Sequence, residues 1–212
     1  MKHDRSVTYL CGIITKQMTK GEETRQLIIE RSAPVFNKKG IAATAMSDIM
    51  EVTKLSKGSL YVHFDNKEVL ASSVDDYSME LLAKKVKSTI NRHTHPKDKL
   101  FAYLDAFIDP LHPPVAGGCP MINFGAEADD MNEEVRKKVD KGVEASQQMI
   151  ADIIKQGIKE GVFNPGWNYK EFATLMFALI EGGIMISRIA GNNSKMKIIN
   201  RNIRKMIEEQ LM

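Results

Sequence analysis

Residues 40–70 read GIAATAMSDIMEVTKLSKGSLYVHFDNKEVL, and this stretch decides the fold. Residues 44–53 and 57–64 each carry apolar side chains at helical spacing, and a short polar turn separates them. Thr44 is a favourable N-cap for the first segment, and Ser56 is a favourable N-cap for the second. Two short helices joined by a tight turn, with another helix packed behind them, form a helix-turn-helix unit.

The sequence on either side of this unit is also helical. Residues 22–39 have apolar side chains at helical spacing, with Pro34 expected to bend the helix and Gly40 to cap its C-terminus. A long helix is expected to begin near Lys67, whereas residues 109–120 are so rich in Pro and Gly that they must form a loop. Further helices are predicted over residues 96–108, 121–129, 131–161, 169–190 and 194–212. No strand pattern emerges, so the predicted fold class is all-α, with about nine helices.

Composition and charge indicate the broad structural class of the protein. The chain has 212 residues, 43% of them hydrophobic, and a net charge of +3, which is ordinary for a soluble globular protein and too weak to indicate nucleic acid by itself. The densest apolar run, residues 172–189, is broken by Glu181 and two glycines, so no membrane span and no membrane partner are expected. Residues 1–20 lack the apolar core of a signal peptide, and Cys11 and Cys119 are too isolated for a disulfide framework. A cytoplasmic protein is expected.

In this setting, residues 22–70 resemble the TetR family of bacterial transcriptional regulators. The resemblance is specific because residue types and spacings agree together: Gly40, Thr44, Ile49, Ser56–Lys57–Gly58–Ser59–Leu60–Tyr61, His63–Phe64, Lys67–Glu68 and Leu70. The sequence departs from the family pattern at Met50, where a small residue is frequent, and at Lys54, where glycine is frequent. A residue other than glycine in a left-handed turn costs about 1 kcal/mol, so a slightly strained turn is expected.

The resemblance implies a domain organisation. A mobile tail at residues 1–20 precedes a helix-turn-helix DNA-binding domain at residues 21–66. Residues 67–212 are expected to form a ligand-sensing and dimerisation domain, whose last two helices pair with those of a second copy. Met18 lies just before the first helix, so it stays open whether residues 1–17 are translated.

The resemblance also implies which residues contact DNA. A recognition helix presents short, polar, donor-bearing side chains near its N-terminus, where it enters the major groove. Phosphate contacts are implied at helix starts, where free amides and the helix dipole attract anions. The expected DNA-binding residues are Thr44, Lys57, Gly58, Ser59, Tyr61, His63 and Lys67. An alternative interpretation keeps Tyr61 and His63 as amphipathic residues at the edge of the core, and Leu60 and Phe64 are assigned to the core.

A ligand pocket is expected among the helices that follow residue 67. By resemblance it binds a small-molecule effector, and such pockets are lined mostly by apolar and aromatic groups. The candidate lining residues are Phe101, Tyr103, Phe107, Cys119, Met121, Phe124, Met149, Trp167, Phe172 and Met176. The alternative for each is ordinary core packing, and the sequence does not choose between the two.

Cys119 raises a separate question. Residues 117–123, GGCPMIN, resemble a Gly-Cys motif found in a subset of the family, some of whose members sense electrophiles or oxidants. A thiol at a helix N-terminus gains thiolate character from the dipole, and His112 in the same loop would assist. The alternative is a small buried residue in a Gly-rich turn, so whether Cys119 is a reactive thiol is left open.

The function that the resemblance implies is ligand-responsive, DNA-binding transcriptional regulation. Repression is favoured over activation, with a homodimer bound to a palindromic operator and released by an effector. The alternative is a helical partner-binding or architectural protein with a vestigial DNA-binding unit. No enzyme is expected, because the sequence offers no nucleophile–base pair or metal cluster at a recognisable spacing. His93 and His95 lack a nearby carboxylate or cysteine, so neither a metal nor a cofactor is expected. The effector, the operator and the regulated genes stay open.

Overall fold

The computed structural model describes residues 18–128 and 133–212. Within these two segments the chain forms nine α-helices: α1 Lys20–Ala43, α2 Met46–Thr53, α3 Lys57–His63, α4 Lys67–Ile90, α5 Pro96–Asp105, α6 Pro120–Ala128, α7 Glu133–Lys159, α8 Tyr169–Ala190 and α9 Ser194–Glu208. They contain no named strand, and Phe163 and Leu211 form an isolated antiparallel bridge. The all-α prediction is confirmed. Of the mobile tail expected at residues 1–20, residues 1–17 lie outside the described residues, as does the start of the seventh helix expected near residue 131; Thr19 and Lys20 already form the start of α1.

Helix α1 is interrupted at Gly40 and not at Pro34, where a bend was expected. Thr19 and Glu22 form a capping box at the start of α1, and the backbone at Pro34 remains helical. Gly40 has φ 79° and ψ 170°, a conformation that is essentially restricted to glycine. Residues 41–43 then form one further helical turn. The prediction that the first helical segment ends at Gly40 is therefore confirmed, and one further helical turn follows the break.

The junction between α1 and α2 differs from the prediction at Thr44. The Thr44 hydroxyl donates to the Gly40 carbonyl oxygen at 2.6 Å, and the residue is 1% exposed, so Thr44 caps the end of α1 and does not begin α2. Ala45 is the N-cap of α2, and its backbone N–H donates to Asp48 Oδ2 at 3.0 Å. Asp48 also pairs with Lys39 Nζ at 2.8 Å, which ties the two helices together.

The turn between α2 and α3 has the predicted geometry. Lys54 adopts φ 62° in the left-handed region, and its N–H donates to the Met50 carbonyl oxygen at 2.9 Å. Ser56 caps α3 as predicted, since its Oγ accepts the N–H of Ser59 at 3.2 Å. Leu60 and Phe64 are buried, which confirms their assignment to the core.

The remaining helices form one continuous hydrophobic core with the helix-turn-helix unit. It runs from Ile28 in α1 to Ile207 in α9. Helix α1 packs on α4 and α6, α6 packs on α7, and α7, α8 and α9 pack in succession. Helix α8 is long and apolar enough to cross a bilayer, with a mean hydropathy of 1.6 over its most apolar 18 residues. Core helices of soluble proteins meet the same criterion, and α8 packs between α7 and α9.

Helix α9 carries the apolar seam that its spacing predicts. Met196, Ile203 and Ile207 are buried, and Ile199 Cδ1 lies 3.0 Å from the position of a Cβ on Gly183. The seam therefore joins α9 to α8 of the same chain. The helix ends at Glu208, earlier than the predicted residue 212.

Candidate nucleic-acid interface and ligand cavity

Helix α3 is anchored on one side and exposed on the other. Leu60 is fully buried, whereas Lys57 and Gly58 are exposed and Tyr61 is 41% exposed. The Lys57 ammonium lies 5.9 Å from the centre of the Tyr61 ring, so a positive charge and an aromatic hydroxyl share one surface. Ser59 is half-buried. A basic and hydroxyl-bearing surface of this kind suits phosphate and base-edge contacts.

No contact among residues 18–128 and 133–212 requires a glycine at position 58. A Cβ atom added there would have nothing within 4 Å, and glycine in a regular helix costs about 0.5–1 kcal/mol relative to alanine. The glycine leaves the α3 backbone open to close approach by another molecule.

Lys67 and His63 differ in how far they are available to DNA. The Lys67 ammonium donates to the carbonyl oxygens of Ile41, at 2.8 Å, and Ala42, at 3.3 Å, so its position in the free protein is set by α1. Lys67 is therefore a positioning residue here, and the buried Thr44 hydroxyl is likewise committed to Gly40. His63 is half-buried at the end of α3, which agrees with the core-edge alternative.

Two residues on this surface were missed by sequence reasoning. Val62 is 80% exposed on α3, and its position between the buried residues Leu60 and Phe64 was the available signal. Lys54 is exposed at the left-handed turn, and the sequence analysis considered only its strain. An exposed valine next to Tyr61 suits contact with a thymine methyl group.

The helix-turn-helix unit is held to α6 by one carboxylate. Glu127, on α6, accepts the backbone N–H groups of Ile41 and Ala42, both at 2.5 Å. The carbonyl oxygens of the same two residues are bonded to Lys67 from α4, as described above. The turn at residues 41–43 is therefore clamped between α4 and α6 immediately before α2. No sequence pattern had pointed to Glu127.

A second network joins α1 to the Gly-rich loop. The Asn37 side-chain amide donates to the carbonyl oxygens of Val115, at 3.3 Å, and Gly118, at 3.1 Å. Asn123, on α6, donates to the Asn37 backbone oxygen at 2.8 Å. A Cβ on Gly117 would lie 2.6 Å from that same oxygen, so glycine is required there for close packing. The loop and α6 are thus hydrogen-bonded to and closely packed against the end of α1.

Two cavities lie among the helices after residue 67. The larger has a volume of about 320 Å³ and lies between α4, α5, α6 and α7, and the smaller has a volume of about 30 Å³ and lies against the loop that precedes α6. Of the predicted pocket residues, four line the larger cavity: Tyr103, Phe107, Met121 and Met149. Cys119 lines the smaller one, together with Phe107.

The other five predicted pocket residues line neither cavity and correspond to the core-packing alternative. Phe124 and Met176 are core residues. Trp167 stacks against Phe163 and Phe172, with ring centres 5.1 and 4.8 Å apart. Phe101 lies under the guanidinium of Arg204, 4.2 Å from its ring centre. Aromatic residue type alone did not separate cavity walls from helix packing.

Cys119 is a buried thiol whose surroundings disfavour the thiolate. It is 6% exposed, and Sγ donates to Glu181 Oε1 at 3.2 Å. Burial raises the pKa of the thiol well above its usual value, and the Glu181 charge raises it further; hydrogen bonds from the backbone of Ile122 and Met121 lower it by less. The helix N-terminus therefore does not activate the thiol, and the small-buried-residue alternative fits the structure.

The described histidines and acidic groups form no cluster suited to a metal ion. His112 Nδ1 lies 2.8 Å from Asp109 Oδ2 in the exposed part of the loop. The histidine ring is therefore paired with Asp109. Across residues 18–128 and 133–212, no cluster of three or more His, Cys, Asp or Glu side chains is arranged to hold a metal ion.

Comparison with known proteins identifies the family. Residues 28–74 match the family described as "Bacterial regulatory proteins, tetR family". Residues 96–203 match "Tetracyclin repressor-like, C-terminal domain". The two matches cover most of the helix-turn-helix unit and of helices α5 to α9, and the α4 residues that line the cavities lie between them. The chain belongs to the TetR family.

Individual TetR relatives agree with this assignment. A TetR transcriptional regulator from Chloroflexus aurantiacus J-10-fl is 34% identical, covers 92% of this chain and 98% of its own, and superposes with a TM-score of 0.88. A TetR-family regulator from Cytophaga hutchinsonii is 33% identical, with 93% and 99% coverage and a TM-score of 0.87. The HTH-type transcriptional repressor DhaR of Mycobacterium sp. strain GP1 is 26% identical over 169 residues, which are 79% of this chain and 84% of DhaR.

Membership of the TetR family settles the general activity. The chain is a helix-turn-helix, DNA-binding transcriptional regulator. TetR regulators bind DNA operators, and they typically act as dimers that respond to small molecules.

Proposed function

We propose that this protein is a homodimeric repressor that reads a palindromic operator through α3 and leaves it when a small molecule fills the larger cavity. One observation carries the proposal. Leu60 anchors helix α3 in the core while Lys57, Gly58 and Tyr61 face solvent, and none of the described residues fills the space next to Gly58. A surface of this shape and charge suits the major groove.

The dimer is supported by an unpartnered apolar stripe on α8. Leu175, Met185 and Ile189 are 42%, 48% and 80% exposed, and their spacing along the helix keeps them on one face. Gly182 lies between them, and a Cβ atom there would meet nothing within 4 Å, which leaves room for a second helix to approach closely. Ile198 on α9 is 50% exposed and would extend the stripe. Pairing of two such faces would bury these side chains and fix the distance between two α3 helices.

Release by an effector is supported by helix α6, which connects the larger cavity to residues 41 and 42. Met121 lines the larger cavity and Glu127 holds residues 41 and 42, and both belong to α6. A ligand that displaces α6 would therefore disturb the segment that leads directly into α2. A small molecule can act in this way only if it binds the released arrangement more tightly than the DNA-bound one.

Gel-shift titrations with a duplex selected by the wild-type protein test the DNA-binding surface. We expect Lys57→Ala and Tyr61→Ala each to weaken binding by at least about tenfold, as for loss of a charged or base-edge contact. Gly58→Ala should stabilise the fold by about 0.5–1 kcal/mol and yet weaken DNA binding. Lys155→Ala, an exposed lysine on α7, is the control. Unchanged binding by all three α3 variants would exclude α3 as the reading element.

Light scattering of two matched variants tests the dimer. Ile189 on α8 and Val62 on α3 are both 80% exposed, so an aspartate at either site adds the same charge to an exposed aliphatic position. Ile189→Asp should convert the dimer to a monomer, whereas Val62→Asp should remain dimeric and lose DNA binding. A dimer that survives Ile189→Asp would place the interface elsewhere.

A further inference from the structure

Gly58 and Val62 form an apolar notch on the exposed surface of α3. Val62 is 80% exposed and lies between the buried residues Leu60 and Phe64, and it takes no part in the hydrophobic core. Gly58 is exposed as well, and none of the described residues comes within 4 Å of a Cβ atom added there. Residues four apart lie on the same face of a helix, so the two positions are neighbours on the surface of α3.

The direction of helical side chains gives the notch its shape. Each Cα–Cβ bond of an α-helix tilts toward the helix N-terminus, so the side chain of Val62 leans over the preceding turn, where Gly58 lies. Glycine leaves that position without a side chain, and the Val62 side chain itself stays more than 4 Å from the Cβ site. An apolar wall therefore stands beside a space that accepts a methyl group and is open to solvent.

A second row of α3 residues, Lys57 and Tyr61, lies beside the notch and is polar. The Lys57 ammonium is 5.9 Å from the centre of the Tyr61 ring, and both residues are exposed. These two side chains offer hydrogen-bond donors, whereas the side chains of the notch offer neither a donor nor an acceptor. The two rows of α3 thus suit different chemical groups on DNA.

The chemistry of the notch selects one group in the major groove. Phosphate oxygens and most base-edge atoms are hydrogen-bonding groups, and the apolar group among the base edges is the C5-methyl of thymine. Single exposed aliphatic residues are ordinary on protein surfaces. Here, however, the exposed Val62 stands beside the open Gly58 on the second helix of a helix-turn-helix unit, and the notch matches a thymine methyl group in both polarity and size.

We propose that the Gly58–Val62 notch reads thymine: the C5-methyl group of one thymine in each operator half-site enters the space at Gly58 and packs against Val62. The inference rests on the proposed function, because it requires α3 to lie in the major groove of an operator. It makes Val62 a specificity-determining residue that acts through apolar contact, beside the hydrogen-bonding row of Lys57 and Tyr61.

Replacement of thymine by deoxyuridine tests this contact, because it removes the methyl group and keeps the hydrogen-bonding groups of the base. In a duplex selected by the wild-type protein, each symmetric pair of thymines is replaced in turn, and affinity is measured by fluorescence anisotropy. Burial of one methyl group corresponds to about fourfold in affinity, so replacement in both half-sites should cost about 15-fold at one pair. Absence of a loss at every pair, or half-sites without thymine, would overturn the proposal.

A matched pair of valine variants assigns the methyl group to its reader. Val62→Ala removes the apolar wall, so it should weaken binding to the thymine duplex and lose most of the deoxyuridine effect. Because Val62 is exposed, this change should leave the fold intact. Val69→Ala makes the same change at a 40% exposed position on α4 and should keep the full effect. An equal deoxyuridine effect in the wild type and in Val62→Ala would assign the methyl group to another side chain and refute the inference.

Gly58→Ala should remove or reverse the preference for thymine. Its added methyl group occupies the space that the thymine methyl needs, so this variant should bind the deoxyuridine duplex at least as tightly as the thymine duplex. A preference for thymine as large as that of the wild type would show that the space is not used. Failure of the folded wild-type protein to select any duplex would overturn the proposed function together with this inference, whereas selection without methyl dependence would overturn the inference alone.

Discussion

The Oε2 atom of Glu127 lies 2.6 Å from the position that a Cβ atom would occupy on Gly40. The same carboxylate holds the two amides that follow Gly40. Helix α6 therefore binds the end of α1 through Glu127, in a close contact that the absence of a Cβ atom on Gly40 allows. The contact lies directly before α2. This contact links the cavity-bearing helices to the DNA-binding surface.

Gly40→Ala should destabilise the protein by about 2–4 kcal/mol. The conformation at Gly40 costs about 1–3 kcal/mol for other residues. The added methyl group would also push the Glu127 carboxylate from the two amides, of which one is part-buried and the other exposed, at a further cost of about 1 kcal/mol for the lost hydrogen bonding. Urea denaturation measures the change. Gly161→Ala is the matched control, because Gly161 has φ 71° but nothing within 4 Å of an added Cβ, and it should lose only about 1 kcal/mol. Equal losses in the two variants would mean that the carboxylate contact is unimportant.

Glu127→Gln should weaken the link between α6 and the helix-turn-helix unit without removing it. Glutamine keeps one acceptor oxygen, so one of the amides of Ile41 and Ala42 loses its partner, and the charge-assisted bonds become neutral ones. We expect operator affinity to fall and its response to the effector to diminish, as measured by gel shift with and without ligand. Glu133→Gln, an exposed change on α7, should leave both unchanged. An unaltered effector response in Glu127→Gln would show that the signal takes another route.

Cys119 should react slowly with thiol reagents in the native protein. Its thiol is buried, and burial keeps its pKa well above the usual value, so little thiolate is present near neutral pH. In a Cys11→Ser background, labelling by a chromogenic disulfide reagent should be slow and should accelerate sharply in denaturing urea. Rapid stoichiometric labelling without denaturant, with loss of DNA binding, would restore the sensor-thiol interpretation.

The stability of the protein should fall as Asp75 ionises. Burial, and next the charge of Asp76, raise the Asp75 pKa to about 6 from its usual 3.8, and one of its oxygens has no partner. Because the folded-state pKa is the higher one, this contribution to stability is fully present below pH 3.8 and is lost as the pH rises through about 6. Asp75→Asn removes the titration. The stability of Asp75→Asn relative to wild type should rise by about 2 kcal/mol between pH 4.5 and pH 8. A difference independent of pH would contradict the buried, ionisable state of Asp75.

Much of the fold could be predicted from sequence because its signals are local. The left-handed turn at Lys54, the Ser56 cap and the burial of Leu60 and Phe64 all follow from short-range patterns, and each is observed. The break at Gly40 was also predicted, but the contact that holds the following turn was not. Glu127 accepts the amides of Ile41 and Ala42 from a distant part of the chain, and no local pattern encodes that contact.

In the candidate site, too, the features set by local sequence could be predicted and those set by tertiary packing could not. The exposed side of α3 follows from helical periodicity, whereas the cavity walls depend on which helices pack together. Phe101 and Trp167 have the residue type of a pocket, yet Arg204 covers one and Phe163 packs against the other. Lys67 has the position of a phosphate contact, yet its ammonium is bound to the carbonyl oxygens of Ile41 and Ala42. In each case the contacts made by residues distant in sequence determine whether the side chain is available to a ligand or to DNA.

Selection of duplex DNA from a random library by the purified protein tests the central claim most directly. We predict that the wild-type protein enriches a sequence with two inverted half-sites, and that Tyr61→Ala, folded and dimeric, enriches none. Two half-sites would reflect two α3 helices related by the symmetry of a dimer. Failure of the folded, dimeric wild-type protein to enrich any sequence would contradict operator reading through α3.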